Sequence, residues 1–191
     1  MTAIPQVFVE VKPFVGPRLI AFYAAILIAS LPVWPFVWHL GLHVLGAALL
    51  IGNALIMAVW LTLAGFRGND DAKRRAARVV NRADAWFTVP GVLLLLLNGW
   101  AMASTRYGGF PASFGTDFIA VGLALLTATG AVWALRLLPT QLALLRVATA
   151  TGPLDRPGFA ALLTRWYVWG VVATVMPIAA AVVMATKPNL W

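Results

Sequence analysis

Charged side chains are scarce in this sequence: Asp, Glu, Lys and Arg together make up only 10% of its 191 residues. Soluble domains carry about 25%, so this chain has too few charges to cover a surface in water. Hydrophobic residues make up 62% of the chain, and several apolar stretches reach the roughly 20 residues that cross a bilayer as a helix. The composition therefore predicts an all-α, polytopic transmembrane helical bundle.

Several kinds of chemistry are also missing. The absence of cysteine excludes disulfides, thiolate metal ligands and thiol nucleophiles. We find no phosphate-binding loop, no nucleophile elbow and no paired intramembrane carboxylates. The net charge is +8, but the basic residues lie in short segments between apolar stretches, which favours anionic lipid headgroups over nucleic acid as the partner. We expect no self-contained catalytic site.

Prolines and charges divide the apolar sequence into five predicted spans. The stretch 19–65 is too long for one span, and Pro32 and Pro35 predict a turn within it. The predicted spans are residues 19–33, 36–65, 85–104, 118–138 and 166–186. A mixed segment, residues 1–18, precedes them as an interfacial arm.

The distribution of basic residues predicts the orientation. Five spans place twelve of the fourteen Lys and Arg residues on one side, six of them in the loop "FRGNDDAKRRAARVVNRAD", and leave only Arg106 and Lys187 on the other. Because positive loops stay in the cytoplasm, we expect a cytoplasmic N-terminus and a C-terminus on the opposite side. Trp133 and Trp166 fall near the inner ends of spans, where tryptophan anchors helices at the headgroups.

The second span carries a polar stripe that includes both histidines of the chain. His39, His43, Gly46, Leu50 and Asn53 follow one another at steps of four, three, four and three residues, which places them on one helical face. A polar face is unfavourable against lipid, so we expect it to face the bundle. The third span runs the opposite way and should bring Asn98 and Met102 to the level of the histidines.

Three interpretations of this cluster remain open. The first is an interhelical hydrogen-bond network. The second is a haem b site with His43 or His39 as axial ligand, although two histidines four residues apart on one helix cannot bind opposite faces of one iron. The third is a copper or zinc site, for which Met102 would suit Cu(I), although a third strong ligand is missing.

Other polar residues near the spans have structural explanations. Asp84 is predicted to cap the start of the third span and to pair with Arg82 or Arg165. The hydroxyl of Ser30 is expected to bond to a carbonyl of its own helix.

Four ordered segments resemble one family. "LHVLGAALLIGNAL", "RADAWFTVPGVLLLLLNGWAMA", "LRLLPTQLALL" and "RWYVWGVVATVMPIAAAVVMATKP" together resemble a bacterial family of predicted integral membrane proteins, domain of unknown function 2269. That family has four spans, so the resemblance implies an added N-terminal arm and helix, residues 1–38, before a four-helix membrane domain, residues 39–191. It also implies a bacterial inner-membrane location, in which the C-terminal side expected from the basic residues is the periplasm.

A more distant similarity concerns the histidine in "LH". That motif is similar to copper-resistance D-type proteins and to HemJ-type haem-biosynthesis oxidases, in which a comparable histidine binds haem with help from a lysine on another helix. His43 matches that histidine, but this sequence has no matching intramembrane lysine. We therefore predict a non-catalytic accessory or structural subunit that binds other membrane subunits or itself, with a haem b-binding redox or haem-handling protein as the alternative.

Overall fold

The computed structural model describes residues 16–109, 112 and 114–188, and all regular secondary structure in those residues is helical. The helices are α1 (Pro17–Ala29), α2 (Phe36–Arg67), α3 (Asp70–Arg106), α4 (Asp117–Thr149) and α5 (Arg156–Thr186). The predicted all-α bundle is confirmed. The predicted interfacial arm falls almost wholly outside the described residues.

The four later helices differ from the first in length. Helices α2 to α5 have 31 to 37 residues, and each is long and apolar enough to cross a membrane. Helix α1 has only 13 residues, which span about 20 Å and fall short of a hydrocarbon core of about 30 Å. The described part of the chain thus contains four candidate spans and a shorter apolar helix that precedes them.

The basic segment before the third span is a helix, which corrects the expectation of a loop. The Asn69 side chain accepts a hydrogen bond from the Ala72 amide, and Asp70 lies in the first turn, where a negative charge is favourable. Ala76, Ala77 and Val80 are buried along one side. The segment therefore forms the first turns of α3 and packs against the rest of the bundle.

The bundle is built from two helical hairpins, α2–α3 and α4–α5, each with extensive contact between its helices. Gly46 and Gly91 form the close crossing of the first hairpin, because a Cβ atom at Gly46 would lie 2.8 Å from the Gly91 carbonyl oxygen. The hairpins meet chiefly where the start of α3 packs on the end of α4 and where α2 packs on α5. The apolar core, which includes Leu61, Leu144 and Phe159, lies at this junction.

We call the end of the bundle where α2 and α4 end, and α3 and α5 begin, the basic end. Polar contacts connect the helix ends there. The Arg74 guanidinium donates hydrogen bonds of 2.7–2.8 Å to the carbonyl oxygens of Ala148, Ala150 and Gly152, just at and beyond the C-terminus of α4. Arg156 forms a 2.9 Å salt bridge with Asp70. Arg74 thereby satisfies carbonyl groups that a helix C-terminus leaves unpaired.

Two π-helical turns interrupt the long helices. They span Asp84–Thr88 in α3 and Trp133–Leu137 in α4. Each ends two residues before a proline, Pro90 or Pro139, whose ring has no N–H and clashes with the carbonyl four residues earlier. Widening of the preceding turn relieves this clash, so these two prolines account for the position of both π-turns.

Candidate functional site

The polar stripe of α2 faces the bundle, as its spacing predicts. His39 is 1% exposed and Asn53 7% exposed, and Gly46 and Leu50 between them are also buried. His43 is half-buried. The stripe runs along the contact with α3 and supplies polar groups on either side of the Gly46–Gly91 crossing.

The first group of polar residues, the histidine cluster, contains Ser30, His39, His43 and Asn98. The Nδ1 atom of His39 lies 2.7 Å from Asn98 Oδ1. The Asn98 amide nitrogen donates to Ser30 Oγ and to the Leu94 carbonyl, each at 2.9 Å. Asn98 is fully buried and joins the end of α1 to α2 and α3.

His43 occupies a recess beside α3. Its Nδ1 atom lies 2.9 Å from the Leu95 carbonyl oxygen. A Cβ atom at Gly99 would lie 3.1 Å from His43 Cε1, so this glycine makes room for the ring. Asn98 is thus brought to the level of the histidines, whereas Met102, half-buried, lies one turn further along α3.

Both histidines have the same tautomer by their hydrogen bonds. A carbonyl oxygen only accepts hydrogen bonds, so Nδ1 of His43 carries a proton. The Asn98 amide nitrogen donates to Ser30 and Leu94, which leaves its Oδ1 atom to accept from Nδ1 of His39. In a neutral ring with this tautomer, the Nε2 atom carries the lone pair. His39 Nε2 is buried and has no hydrogen-bond partner among the described residues.

The second group, the carboxylate cluster, is centred on Asp84 and joins all four long helices. Asp84 Oδ1 accepts from Thr88 at 2.7 Å and from Asn53 at 3.3 Å, and Oδ2 accepts from Gln141 at 2.7 Å. The Trp166 indole donates to Gln141 Oε1 at 3.2 Å. Residues of α2, α3, α4 and α5 therefore share one chain of hydrogen bonds.

The structure places several predicted polar residues differently from expectation. Asp84 does not begin a helix: it lies inside α3, at the π-turn, and the hydrogen bonds it accepts from described residues come from uncharged groups. Arg82 and Arg165 are both exposed, and Trp166, next to Arg165, faces the interior. Ser30 accepts a bond from another helix instead of bonding only within its own.

Gln141 and Thr88 were missed by sequence reasoning. Gln141 lies beyond the predicted end of the fourth span at residue 138, but α4 continues to Thr149. An amide within the apolar stretch "LRLLPTQLALL" was the available signal. Trp166, taken as a membrane anchor, is only 5% exposed, because its indole belongs to the carboxylate cluster.

A cavity of about 570 Å³ lies beside the carboxylate cluster, between the two hairpins. Its walls are mainly apolar, and its polar side chains include Asn53, Asp84, Thr88 and Gln141. Both π-turns contribute to its wall, through Asp84, Thr88, Trp133 and Leu137. Neither histidine lines this cavity, which separates it from the histidine cluster.

The described residues hold no group of three or more His, Cys, Asp or Glu side chains arranged to bind a metal ion. The two histidines stand four residues apart on α2, and their neighbours with polar side chains are Asn98 and Ser30. The arrangement links helices through neutral hydrogen bonds and leaves one nitrogen lone pair on each ring.

The fold and the comparisons with known proteins define an integral membrane protein of the helical-bundle class. A family model described as a predicted integral membrane protein (DUF2269) matches residues 40–188. Since that match covers most of the chain, the protein belongs to this family. The matched region begins within α2, after α1. No curated protein and no solved structure matches the chain.

Proposed function

We propose that this protein is a non-catalytic accessory subunit that stabilises a larger assembly in the bacterial inner membrane. The observation that carries the proposal is the use of the buried polar groups. Within each of the two clusters, side chains from different helices hydrogen-bond to one another, as in other interhelical contacts. Such groups hold neighbouring helices in register.

A face of α2 supports a contact with another membrane helix. Gly41, Ala48 and Gly52 share this face by their spacing. A Cβ atom added at Gly41 or Gly52 would meet no atom within 4 Å in the described residues. Small residues in this spacing allow two helices to approach closely, and within the described chain the close crossing uses Gly46 instead. The partner is therefore another subunit or a second copy of this chain.

The expected orientation has its N-terminus in the cytoplasm, because α1, although shorter than a full span, begins on the basic-end side: Tyr23 donates to the Ala85 carbonyl, and Ser30 at the other end of α1 contacts Asn98. Residues Arg67, Arg74, Arg146 and Arg156 all lie at the basic end of the bundle, with Arg106 and Lys187 at the other. The positive-inside tendency places the basic end in the cytoplasm, near anionic headgroups. The C-terminus then faces the periplasm.

Site-specific photo-cross-linking tests the accessory role. A photoreactive residue at Ala48, on the small-residue face, should give a discrete cross-linked band in native membranes. The same residue at exposed Leu63 serves as the control. Mass spectrometry should identify one defined partner, and Gly52→Leu should abolish the band by blocking close approach. Cross-links to lipid alone from Ala48 would contradict the proposal.

The second candidate is a haem b protein, and the tautomer of the histidines favours it. A haem-ligating histidine carries its proton on one nitrogen, hydrogen-bonded to an oxygen, and binds iron through the other. His39 and His43 both satisfy this requirement, with Nδ1 bound to oxygen. The residues fit a single axial ligand, because two histidines four residues apart on one helix cannot bind opposite faces of the same haem.

Difference spectroscopy separates the two candidates. Protein purified in mild detergent from cells supplied with a haem precursor should be colourless if the accessory role is right. A stoichiometric Soret band that disappears in His43→Ala, and persists in His39→Ala, would establish the haem role instead. Metal analysis of the same sample distinguishes haem iron from copper or zinc.

A further inference from the structure

The cavity next to the carboxylate cluster opens sideways. Among its lining residues, Leu55 on α2 and Tyr167 and Val175 on α5 are 47–58% exposed. These residues lie on membrane-spanning helices rather than in the connections at either end of the bundle. The mouth of the cavity therefore faces the bilayer between α2 and α5, and a molecule dissolved in lipid has direct access to it.

The cavity holds a carboxylate whose hydrogen-bond donors among the described residues are all uncharged. Asp84 is hydrogen-bonded to Asn53, Thr88 and Gln141, all uncharged, and no salt bridge to it occurs among the described residues. A carboxylate inside a membrane is unfavourable unless it is paired. Since Oδ2 accepts one hydrogen bond from the described residues, that of Gln141, it has a lone pair for a further donor.

The cavity wall also holds an unpaired donor and unfilled space. The Trp133 indole nitrogen is buried and has no hydrogen-bond partner within the described part of the chain. Gly130 and Gly170 line the cavity from α4 and α5, and a Cβ atom added at either would meet nothing within 4 Å. Gly130 is exposed and Gly170 is half-buried, so a guest molecule can reach the cavity wall at these positions.

The depth of Asp84 sets the orientation of that guest. Its partner Asn53 lies 17 residues after Phe36, the first residue of α2, which corresponds to roughly 25 Å along the helix. Asn53 is also 14 residues, roughly 21 Å, from Arg67 at the other end of α2, so the carboxylate lies slightly on the basic-end side of the helix midpoint. The apolar part of the cavity extends from there towards the opposite end of the bundle.

We propose that this cavity binds a lipophilic amine, with its ammonium group on Asp84 and its apolar body between α2, α4 and α5. An amphipathic amine in the leaflet of the basic end directs its charge towards that end and its body towards the middle of the bilayer, which is the direction from the polar to the apolar part of the cavity. The volume of about 570 Å³ is that of a small-molecule site. This site is separate from the small-residue face of α2 and does not depend on the accessory role.

A charge series on one apolar body tests the proposal. The probes are 4-phenylbutylamine, 4-phenylbutanol and 4-phenylbutyrate, titrated calorimetrically into the full chain in dodecylmaltoside at neutral pH. We expect the amine to bind at one site per chain, about tenfold more tightly than the alcohol, as a charge-assisted hydrogen bond provides. The carboxylate should bind most weakly.

Three variants locate the binding. Asp84→Asn should weaken amine binding about tenfold and leave alcohol binding unchanged. Gly130→Leu should fill the cavity and abolish both. Gly41→Leu, at a glycine that also has open space but does not line the cavity, should change neither. Equal binding of amine and alcohol to the native chain would overturn the proposal without reliance on any variant, as would amine binding that survives Gly130→Leu.

Binding measurements in nanodiscs test whether the natural ligand is the headgroup of a lipid or a free amine. In phosphatidylcholine discs the choline headgroup has no N–H to donate, so the affinity for 4-phenylbutylamine should match that in detergent. In discs containing phosphatidylethanolamine, competition that lowers the apparent affinity identifies the lipid headgroup as the natural ligand. Unchanged affinity there identifies a free amine. Loss of amine binding in both kinds of disc would contradict the site.

Discussion

The two polar clusters of the bundle differ in charge and in the helices they join. The histidine cluster is neutral and joins α1 to the first hairpin, through Ser30, His39 and Asn98. The carboxylate cluster contains Asp84 and joins the two hairpins to each other, through Gln141 and Trp166. They lie on opposite sides of the Gly46–Gly91 crossing. One cluster organises a hairpin, and the other holds the hairpins together.

The largest effect is expected from removal of the shared acceptor of the carboxylate cluster. Asp84→Ala leaves the donors on Thr88 and Gln141 without their acceptor, while Asn53 keeps its 2.8 Å bond to Thr88, and it should lower the free energy of unfolding by about 3 kcal/mol. Equilibrium unfolding in mixed SDS–dodecylmaltoside micelles, followed by circular dichroism, measures it. Asp71→Ala, at an exposed carboxylate on the same helix, is the control and should stay within about 0.5 kcal/mol of native.

The crossing between the clusters should be next in sensitivity. At Gly46 an added methyl group would lie 2.8 Å from backbone atoms of Gly91 and Leu95, so Gly46→Ala should cost about 2 kcal/mol through overpacking. At Gly52 on the same helix the added atom meets open space, so Gly52→Ala should be neutral or stabilise by up to about 1 kcal/mol. Equal effects of the two substitutions in the same unfolding assay would show that α2 and α3 do not cross closely at Gly46.

Loss of the central amide of the histidine cluster should have a smaller effect. Asn98→Ala removes the partners of His39 and Ser30 and is expected to cost about 1–2 kcal/mol. Because the cluster joins α1 to the first hairpin, limited proteolysis should show earlier cleavage between α1 and α2 in this variant. A variant with native unfolding and native cleavage would mean that Asn98 does not connect these helices.

The smallest effect is expected at His43, whose one hydrogen bond within the described residues is to the Leu95 carbonyl. Single interhelical hydrogen bonds in membrane proteins average about 0.6 kcal/mol, so His43→Leu should reduce stability by less than about 1 kcal/mol. The thermal midpoint in detergent measures this. A loss as large as that of Asp84→Ala would reverse the ranking of the two clusters.

Periodicity explains which parts of the two clusters could be predicted. The stripe from His39 to Asn53 follows one helical face, so its inward orientation and its proximity to Asn98 are visible in the sequence. Gln141 and Trp166 could not be placed in the same way, because hydropathy ends the fourth span too early and treats tryptophan as an anchor. Helix α4 continues past the apolar segment because the packing of α3 and the contacts of Arg74 stabilise its end.

The basic segment teaches a related lesson. Its charge density favoured a loop, yet Asn69 caps a helix there and Ala76, Ala77 and Val80 supply a buried face. Small apolar residues every three or four positions were present in the sequence, but the count of charges concealed them. The two π-turns likewise depend on Pro90 and Pro139, whose effect on the preceding turn is local, while the cavity between those turns depends on how two hairpins pack.

Native mass spectrometry of the protein released from mild detergent tests the central claim most directly, since one spectrum shows every tightly bound component. If the buried polar groups serve an accessory subunit, protein isolated from its native membrane should appear in a complex whose mass exceeds that of the 20.5 kDa chain by at least one further polypeptide, with no haem. A single chain that carries one haem, lost in His43→Ala, would contradict the account.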